Sequence, residues 1–395
     1  MCGVARGLWT DRYPLPMTRD GARPRVVVVA QAAPALGGIA TFAQLLASSG
    51  AVAAVADVTL LNTTRHAVRT AGRLTSSNAT NAVLDAVRVF REARRADVVH
   101  LQSAPGRLLP LVRMWLLCVA ARAGGSRVLC HIHSGRINGG NPEGFRATRA
   151  YRLVLGRLGF VEAFLTVSRA GAEALRPLVP PGTIVEWVDN AVDVAAQPRA
   201  EPDRRPARLL FVGTLSRRKG LEDLAAAAAA LREAVPEGWS LHIVGGAAEV
   251  GEAEADEMAT AFRDVGMGEA LLGPLGAAEV RELMGHATAL VLPSHWEGQP
   301  MVILEAMACG LPVVSTRVGA IPDVVRDGQD GLLSAPHDVP ALTAALRKIV
   351  ETPELSAKLG ASARDRARRH YDVSVLAERL ASFYDRPRTG VTPRA

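Results

Sequence analysis

The chain alternates, twice over, between short apolar runs and stretches with helical spacing. After Arg25, the run Val26-Val27-Val28-Val29-Ala30 has no polar residue to set against solvent, so it suits a strand buried on both faces. Strand-like runs follow at 57–61, 97–102, 127–133, 163–168 and 184–188, with helical patterns at 76–95, 106–123, 143–158 and 169–178. Residues 194–207 then change character, with three prolines, five charged residues and no period, as a linker does. A second series opens at Arg208, with strands expected at 208–213, 240–245, 270–272, 289–293 and 312–316. Helices are expected at 219–234, 252–265, 276–286, 300–309, 338–350 and 353–369, and a last amphipathic segment runs from Val373 to Tyr384. Such alternation makes a parallel sheet covered by helices on both faces. The reading is therefore an α/β chain of two doubly wound domains in series, facing each other across a cleft, with ligands at the C-terminal strand ends. Its boundaries are a leader over 1–23, domains over 24–193 and 208–370, a helix over 371–385 that packs back on the first domain, and a tail over 386–395.

Size and composition fit that architecture: 395 residues, 49% hydrophobic, support large cores. Net charge is +7, yet only Lys219, Lys348 and Lys358 are lysines, leaving 43 of the 46 basic residues as arginine. Basic excess admits phosphorylated molecules, an anionic membrane or nucleic acid as partners. Aromatics are only 4%, and no basic stretch interleaves them as a single-strand platform would, so no nucleic-acid partner is expected. Cys2, Cys118, Cys130 and Cys309 form no C-x-x-C pair and read as free thiols. Residues 1–20 lack an apolar h-region, and the apolar segment from Leu108 to Ala121 is interrupted by Arg113 and too short to span a bilayer. The expectation is a cytoplasmic protein.

Within the second series, Leu292-Pro293-Ser294-His295-Trp296-Glu297-Gly298-Gln299-Pro300 joins a strand to an apolar helix that stops at Gly310. Pro300 suits the first helical position. Free N–H groups at such a helix start can receive an anion, while a turn carboxylate, Glu297, is better placed to accept hydrogen bonds from hydroxyls. Glu305 stands among Ile303, Leu304, Ala306 and Met307, where an unpartnered carboxylate costs several kcal/mol to bury. A ribose diol would supply two donors; a salt bridge is the bland alternative. Gly213-Thr214-Leu215-Ser216-Arg217-Arg218-Lys219-Gly220 also joins strand to helix. Three adjacent cations oppose the helix dipole there unless they serve a phosphate, and the P-loop pattern G-x-x-x-x-G-K-[ST] is absent.

These pieces together resemble the retaining glycosyltransferases of family 4, which have the GT-B fold of two Rossmann-like domains. The resemblance rests on Phe211-Val212-Gly213 through Lys219-Gly220, Ile243-Val244-Gly245, Pro293-Ser294 with Glu297-Gly298 and Pro300, and Glu305-Ala306 with Ala308, Gly310 and Pro312-Val313-Val314. It continues through Val318-Gly319, Ile321-Pro322, Asp327-Gly328 and Gly331-Leu332-Leu333. It implies that Lys219 pairs with a donor pyrophosphate and Glu305 accepts from ribose hydroxyls. Glu297 would hold a hydroxyl of the transferred sugar, with N–H groups from Gly298 through Met301 contacting sugar and phosphate and Gln299, Pro300 and Val302 among the donor-binding residues. Family members often carry Arg where this chain has Thr214, so Arg217 or Arg218 would supply that charge.

In the first half, Gly37-Gly38 resembles the family's glycine pair near the donor. Of His131 and His133, His133 fits the family histidine beside the transferred sugar, while His100 is as well explained structurally. Asn190-Ala191-Val192-Asp193 resembles a turn preceding the linker, and Ser168-Arg169 ends a strand at the cleft. The segment Phe145 to Arg157, with Arg146, Arg149, Arg152 and Arg157, reads first as a solvated helix face and second as a contact for anionic lipid. The resemblance implies transfer, without metal or other cofactor, of a sugar from a nucleoside diphosphate sugar, UDP- or GDP-linked, to a sugar, lipid-linked or small-molecule acceptor. Glu297, Lys219 and His133 are the catalytic candidates, in polysaccharide, glycolipid or other glycoconjugate synthesis, with peripheral contact to the inner face of the cell membrane. The alternatives are a sugar-nucleotide epimerase or hydrolase of the same fold, or a non-catalytic sugar-nucleotide binding protein. A nicotinamide dehydrogenase is disfavoured, since no G-x-G-x-x-G follows the first strand.

Overall fold

The computed structural model describes residues 22–33, 37–64, 76–105, 108–134, 148–200, 206–247 and 251–386. Most of the expected leader and tail, Gly135, and the start of the 143–158 segment with Phe145 and Arg146 lie outside these residues.

Two parallel six-stranded sheets form the molecule. The first is built from β1 (Arg25–Ala30), β2 (Asp57–Asn62), β3 (Val98–Ser103), β4 (Arg127–Ile132), β5 (Ala163–Thr166) and β6 (Ile184–Trp187), in the order 2-1-3-4-5-6. The second comprises β7 (Ala207–Val212), β8 (Trp239–Val244), β9 (Leu271–Gly273), β10 (Ala289–Leu292), β11 (Val313–Thr316) and β12 (Gly331–Ser334), in the order 12-11-10-7-8-9. Strand order reverses between β1 and β3 in one sheet and between β7 and β10 in the other. At such a switch point the two crossover helices leave on opposite faces and open a crevice at the C-terminal strand ends. The turn 213–220 follows β7 and the loop 293–300 follows β10, so topology alone brings both to one place.

Apolar residues of β1 face both ways: Val27 and Val29 join one core layer, Val26 and Val28 another. This is the burial that a run without polar alternation demands. The layer with Val26 and Val28 is completed by the C-terminal helix Val373–Tyr384, through Leu376, Ala377, Leu380 and Phe383. Arg127 fastens that helix end by donating to the carbonyls of Phe383 and Tyr384 at 2.6 and 2.7 Å while pairing with Glu162. Tyr384 reaches His100 with its hydroxyl 2.8 Å from Nδ1.

The chain crosses between the sheets twice. It leaves β6 through residues 188–206 and returns through the turn Ala367–Tyr371. The two crossings touch at a bridge between Val192 and Asp372, where Val373 N–H donates to the Val192 carbonyl at 3.0 Å and Val192 N–H to that of Tyr371 at 2.9 Å.

Several elements differ from the sequence reading. The strand Gly331–Ser334 pairs with β11 as the sixth strand of its sheet, the helix Gly50–Val55 precedes β2, and a short helix spans Ile321–Val324; none of these was expected. Pro300 caps the helix Met301–Cys309 from outside, with an extended ψ of 124°, instead of occupying its first turn. The helix in the 143–158 segment is described only over Arg149–Leu155.

Leu380 is fully buried in the C-terminal helix, whereas Val375 is 37% exposed on its other side. Leu380→Ala should cost about 2–5 kcal/mol of stability, as large-to-small core changes do. Val375→Ala should cost far less, and the two chemical unfolding midpoints will show the difference.

Candidate active site

The turn after β7 and the loop after β10 are pressed together at a glycine. Gly220 has φ 68°, a left-handed conformation, and a Cβ there would lie 1.9 Å from the Pro293 carbonyl oxygen. Only glycine admits this approach. On the opposite side, a Cβ at Gly319 would lie 2.2 Å from the Glu297 carbonyl oxygen, and Ala320 N–H donates to the Gly298 carbonyl at 2.9 Å. Glu297 is thus held between two backbone segments before its side chain makes any contact.

That side chain is buried, and its Oε1 collects three partners. Lys219 Nζ lies 2.5 Å away, Arg218 Nη1 3.1 Å and Ser294 Oγ 3.0 Å. Burial pushes the Glu297 carboxyl up, but Lys219 and then Arg218 outweigh it and hold it below its ordinary value. Burial draws the Lys219 ammonium below its usual value, against the pull of Glu297. The result is an ionised carboxylate with two cations on it, at the C-terminal ends of β7 and β10.

The three cations of the turn separate in space. Arg218 enters the site and also lies over the Trp296 ring, 5.0 Å from its centroid. Arg217 points away: it is exposed, pairs with Glu257, and its backbone N–H donates to Glu254 at 3.1 Å. Of the two arginines that could offset Thr214, Arg218 therefore carries charge into the site, and the expectation for Arg217 is corrected. Thr214 is partly buried at the start of the turn.

The helix Met301–Cys309 starts from Pro300, so the N–H groups of Met301 and Val302 have no acceptor within the helix. Glu305, one turn in, has no hydrogen bond or salt bridge from any described residue. Burial raises its carboxyl to about 6, opposed by the distant charge of Arg281. The residue is only partly buried, so its carboxylate is an acceptor open to donors from outside the chain.

The Gln299 side chain and carbonyl are engaged within the protein. Its Oε1 accepts from Asn190 N–H at 2.5 Å, its carbonyl from Asn190 Nδ2 at 2.9 Å, and its Nε2 donates to Asp189 at 2.7 Å. The side chain thus holds the crossing between the sheets, while the sequence expectation for Gln299 concerned its backbone N–H. Met301 likewise sits in the first domain's core layer, and a Cβ at Gly38 would lie 3.3 Å from Met301 Cγ. Gly37 and Gly38 bring the helix Gly38–Ser48 against the loop, leaving room for Met301.

On the first sheet, His133 follows β4 and its Nε2 lies 2.7 Å from Gln102 Oε1. With the amide oxygen facing it, Nε2 carries the proton and Nδ1 is the acceptor. Burial lowers its pKa to about 3, so the imidazole is neutral. Phe42 and His131 pack on its ring at 5.2 and 4.4 Å. His131 and His100 are wholly buried in the column behind it, and burial lowers both; they are structural. Sequence reasoning missed Gln102, Asp189 and Asn190 as partners, because each meets its site residue through the fold, and missed Ser294, which reaches Glu297 from three residues away in the same loop.

Residues 206–352 match the family model described as "Glycosyl transferases group 1". Over 230 residues the chain is 33% identical to the glycogen synthase of Mycobacterium tuberculosis strain H37Rv, covering 56% of this chain and 54% of that protein. It is 37% identical over 165 residues to the D-inositol 3-phosphate glycosyltransferase of Actinosynnema mirum, covering 40% of each. The chain thus spans about half the length of the curated relatives it matches. Among solved structures, the sucrose-phosphate synthase of Thermosynechococcus elongatus superposes with a TM-score of 0.70 at 20% identity, over 92% of this chain and 98% of that one. Anabaena HepE in complex with UDP-glucose gives 0.67 at 17% identity, over 91% and 99%. The chain accordingly has the GT-B fold, and its residues 206–352 are similar to glycosyl transferases group 1.

Proposed function

We propose that the chain transfers a sugar, with retention and without a metal ion in the chemistry, from a nucleoside diphosphate sugar to an acceptor hydroxyl. The observation that carries this reading is the partly buried carboxylate of Glu305, open among the described residues, one helical turn from the N–H groups at the start of the helix that follows the Glu297 loop. A ribose diol supplies the donors Glu305 lacks; a diphosphate suits Lys219, Arg218 and the helix start. On donor binding, Lys219 exchanges carboxylate for phosphate, and Glu297 takes a sugar hydroxyl in its place.

Retention by double displacement would need a carboxylate nucleophile. Glu297 is the one candidate, and its carboxylate is neutralised by two cations. Attack on the face from which the diphosphate departs, with the leaving oxygen receiving the acceptor proton, fits better. Lys219 and Arg218 then stabilise charge as it develops on the leaving group, the part a divalent ion plays elsewhere. His133, neutral with Nδ1 as acceptor, would receive a hydroxyl of the sugar from the facing domain.

HepE in its complex with UDP-glucose supports a UDP-sugar donor, with a GDP-sugar as the second candidate. The named relatives, a glycogen synthase and an inositol phosphate glycosyltransferase, support a sugar or small phosphorylated acceptor in glycoconjugate synthesis. Peripheral contact with an anionic membrane is part of the proposal. Leu108 and Val112, on the helix Leu108–Ala123, and Val83, Val87 and Phe90, on the helix Ser76–Ala93, are exposed apolar residues of the first domain. Arginines flank them. No described helix is long and apolar enough to cross a membrane.

A thermal-shift panel of UDP-, GDP-, ADP- and dTDP-sugars tests the donor: the cognate one, at about 100 times its Kd, should add about 2.7 kcal/mol. Glu305→Ala should weaken nucleotide binding by about 1.5–3 kcal/mol. Because Glu305 must be ionised to accept from the ribose, wild-type affinity should fall as pH drops through about 6, the value to which burial raises its carboxyl. Unchanged affinity in the variant by calorimetry removes Glu305 from the site. With vesicles, the chain should sediment with anionic and not with zwitterionic lipid, and Leu108→Ser should weaken that association.

A further inference from the structure

Beside the donor loop lies a cluster that the proposed chemistry does not use. Asp223, in the first turn of the helix Leu221–Ala234, His295, in the loop after β10, and His337, between β12 and the helix Val339–Glu351, converge from three separate segments. His295 Nε2 is 2.8 Å from Asp223 Oδ2, and His337 Nδ1 is 3.7 Å from the same oxygen. All three ligand atoms lie within 4.8 Å of one another. The imidazole centroids are 3.8 Å apart.

One hydrogen bond to Asp223 accounts for His295. It does not account for His337, which stands beyond hydrogen-bond distance and yet aims a nitrogen at the same carboxylate. His337 also has φ 63°, and it is the single non-glycine residue with positive φ among the described residues. An L residue held there needs something to repay the strain. Two imidazole nitrogens and a carboxylate oxygen around a tetrahedral zinc would sit about 3.3 Å apart, given metal–ligand distances near 2.0–2.1 Å. The observed separations need only small side-chain rotations to reach that.

We propose that Asp223, His295 and His337 bind a borderline divalent cation of the zinc class, with a fourth position left to water. Two imidazoles and one carboxylate select Zn2+ over Mg2+ or Ca2+, which prefer all-oxygen shells. The ion would clamp the donor loop, through His295, to the helix after the phosphate turn and to the segment after β12. It would act on the loop's rigidity and not on the reacting atoms, so the site stands or falls apart from the proposed transfer reaction.

The test uses the full chain, stripped with chelator and titrated by calorimetry with Zn2+ and with Mg2+. Zn2+ should bind saturably at one ion per chain and raise the thermal midpoint, while Mg2+ should do neither. Co2+ should give a visible absorption band of tetrahedral character. His337→Gly removes a ligand and relieves the left-handed strain, so the metal-free variant should fold as well as wild type. It should bind Zn2+ more weakly by at least about tenfold and lose the Co2+ band. Absence of saturable Zn2+ binding, equal Zn2+ affinity in folded His337→Gly, or equal binding of Mg2+ would each overturn the proposal.

Discussion

A carboxylate and an ammonium buried on each other hold the second domain's site together. Glu297 and Lys219 come from loops 78 residues apart, and neither could be buried alone without a penalty of several kcal/mol. Each loop therefore requires the other. The glycine at 220 lets the backbones meet, Ser294 and Arg218 complete the shell of Glu297 Oε1, and the turn at 319–320 closes it from behind. On the proposed reading the pair also sets the terms of binding. An anionic donor is admitted when it gives Lys219 a phosphate and Glu297 a hydroxyl at once, so charge stays balanced throughout the exchange.

The same loop is fastened to the other domain. Gln299 is committed to Asp189 and Asn190, and Met301 lies in the first domain's core layer. Residues two and four positions beyond Glu297 thus belong to the interface between the sheets. The site is coupled to how the two halves sit, which suits a reaction needing one substrate from each.

Much of this was open to reading in one dimension. Runs such as 26–30 and 289–292 are too uniformly apolar to be anything but strands buried on both faces, and their order fixes a parallel sheet. Glu305 stands out because its neighbours are all apolar, and no described residue bonds or pairs with it. The strand Gly331–Ser334 escaped because four residues opening on glycine carry too little pattern; its identity comes from pairing with β11. Arg217 and Arg218 are neighbours of one type, and only the short turn they share decides which meets Glu297 and which meets Glu257. The side-chain partner of Gln299 lies 110 residues away, a distance at which sequence carries no signal without the fold. Pro300 was placed one residue too deep, an error within the ordinary fraying of helix ends.

The double crossing between the sheets bears on mechanics. A single tether leaves two bodies free to swing and twist about a point. Here the outgoing segment at Val192 and the returning one at Asp372 are bonded side by side, and the second ends in a helix sunk into the first domain's core. Two adjacent attachment points define a line, and rotation about that line is the one motion that leaves both unstrained. Opening the cleft about that line strains neither attachment, though it must draw Met301 from the first domain's core layer, whereas torsion that would misalign Glu297 and His133 is resisted by the bonded pair of segments.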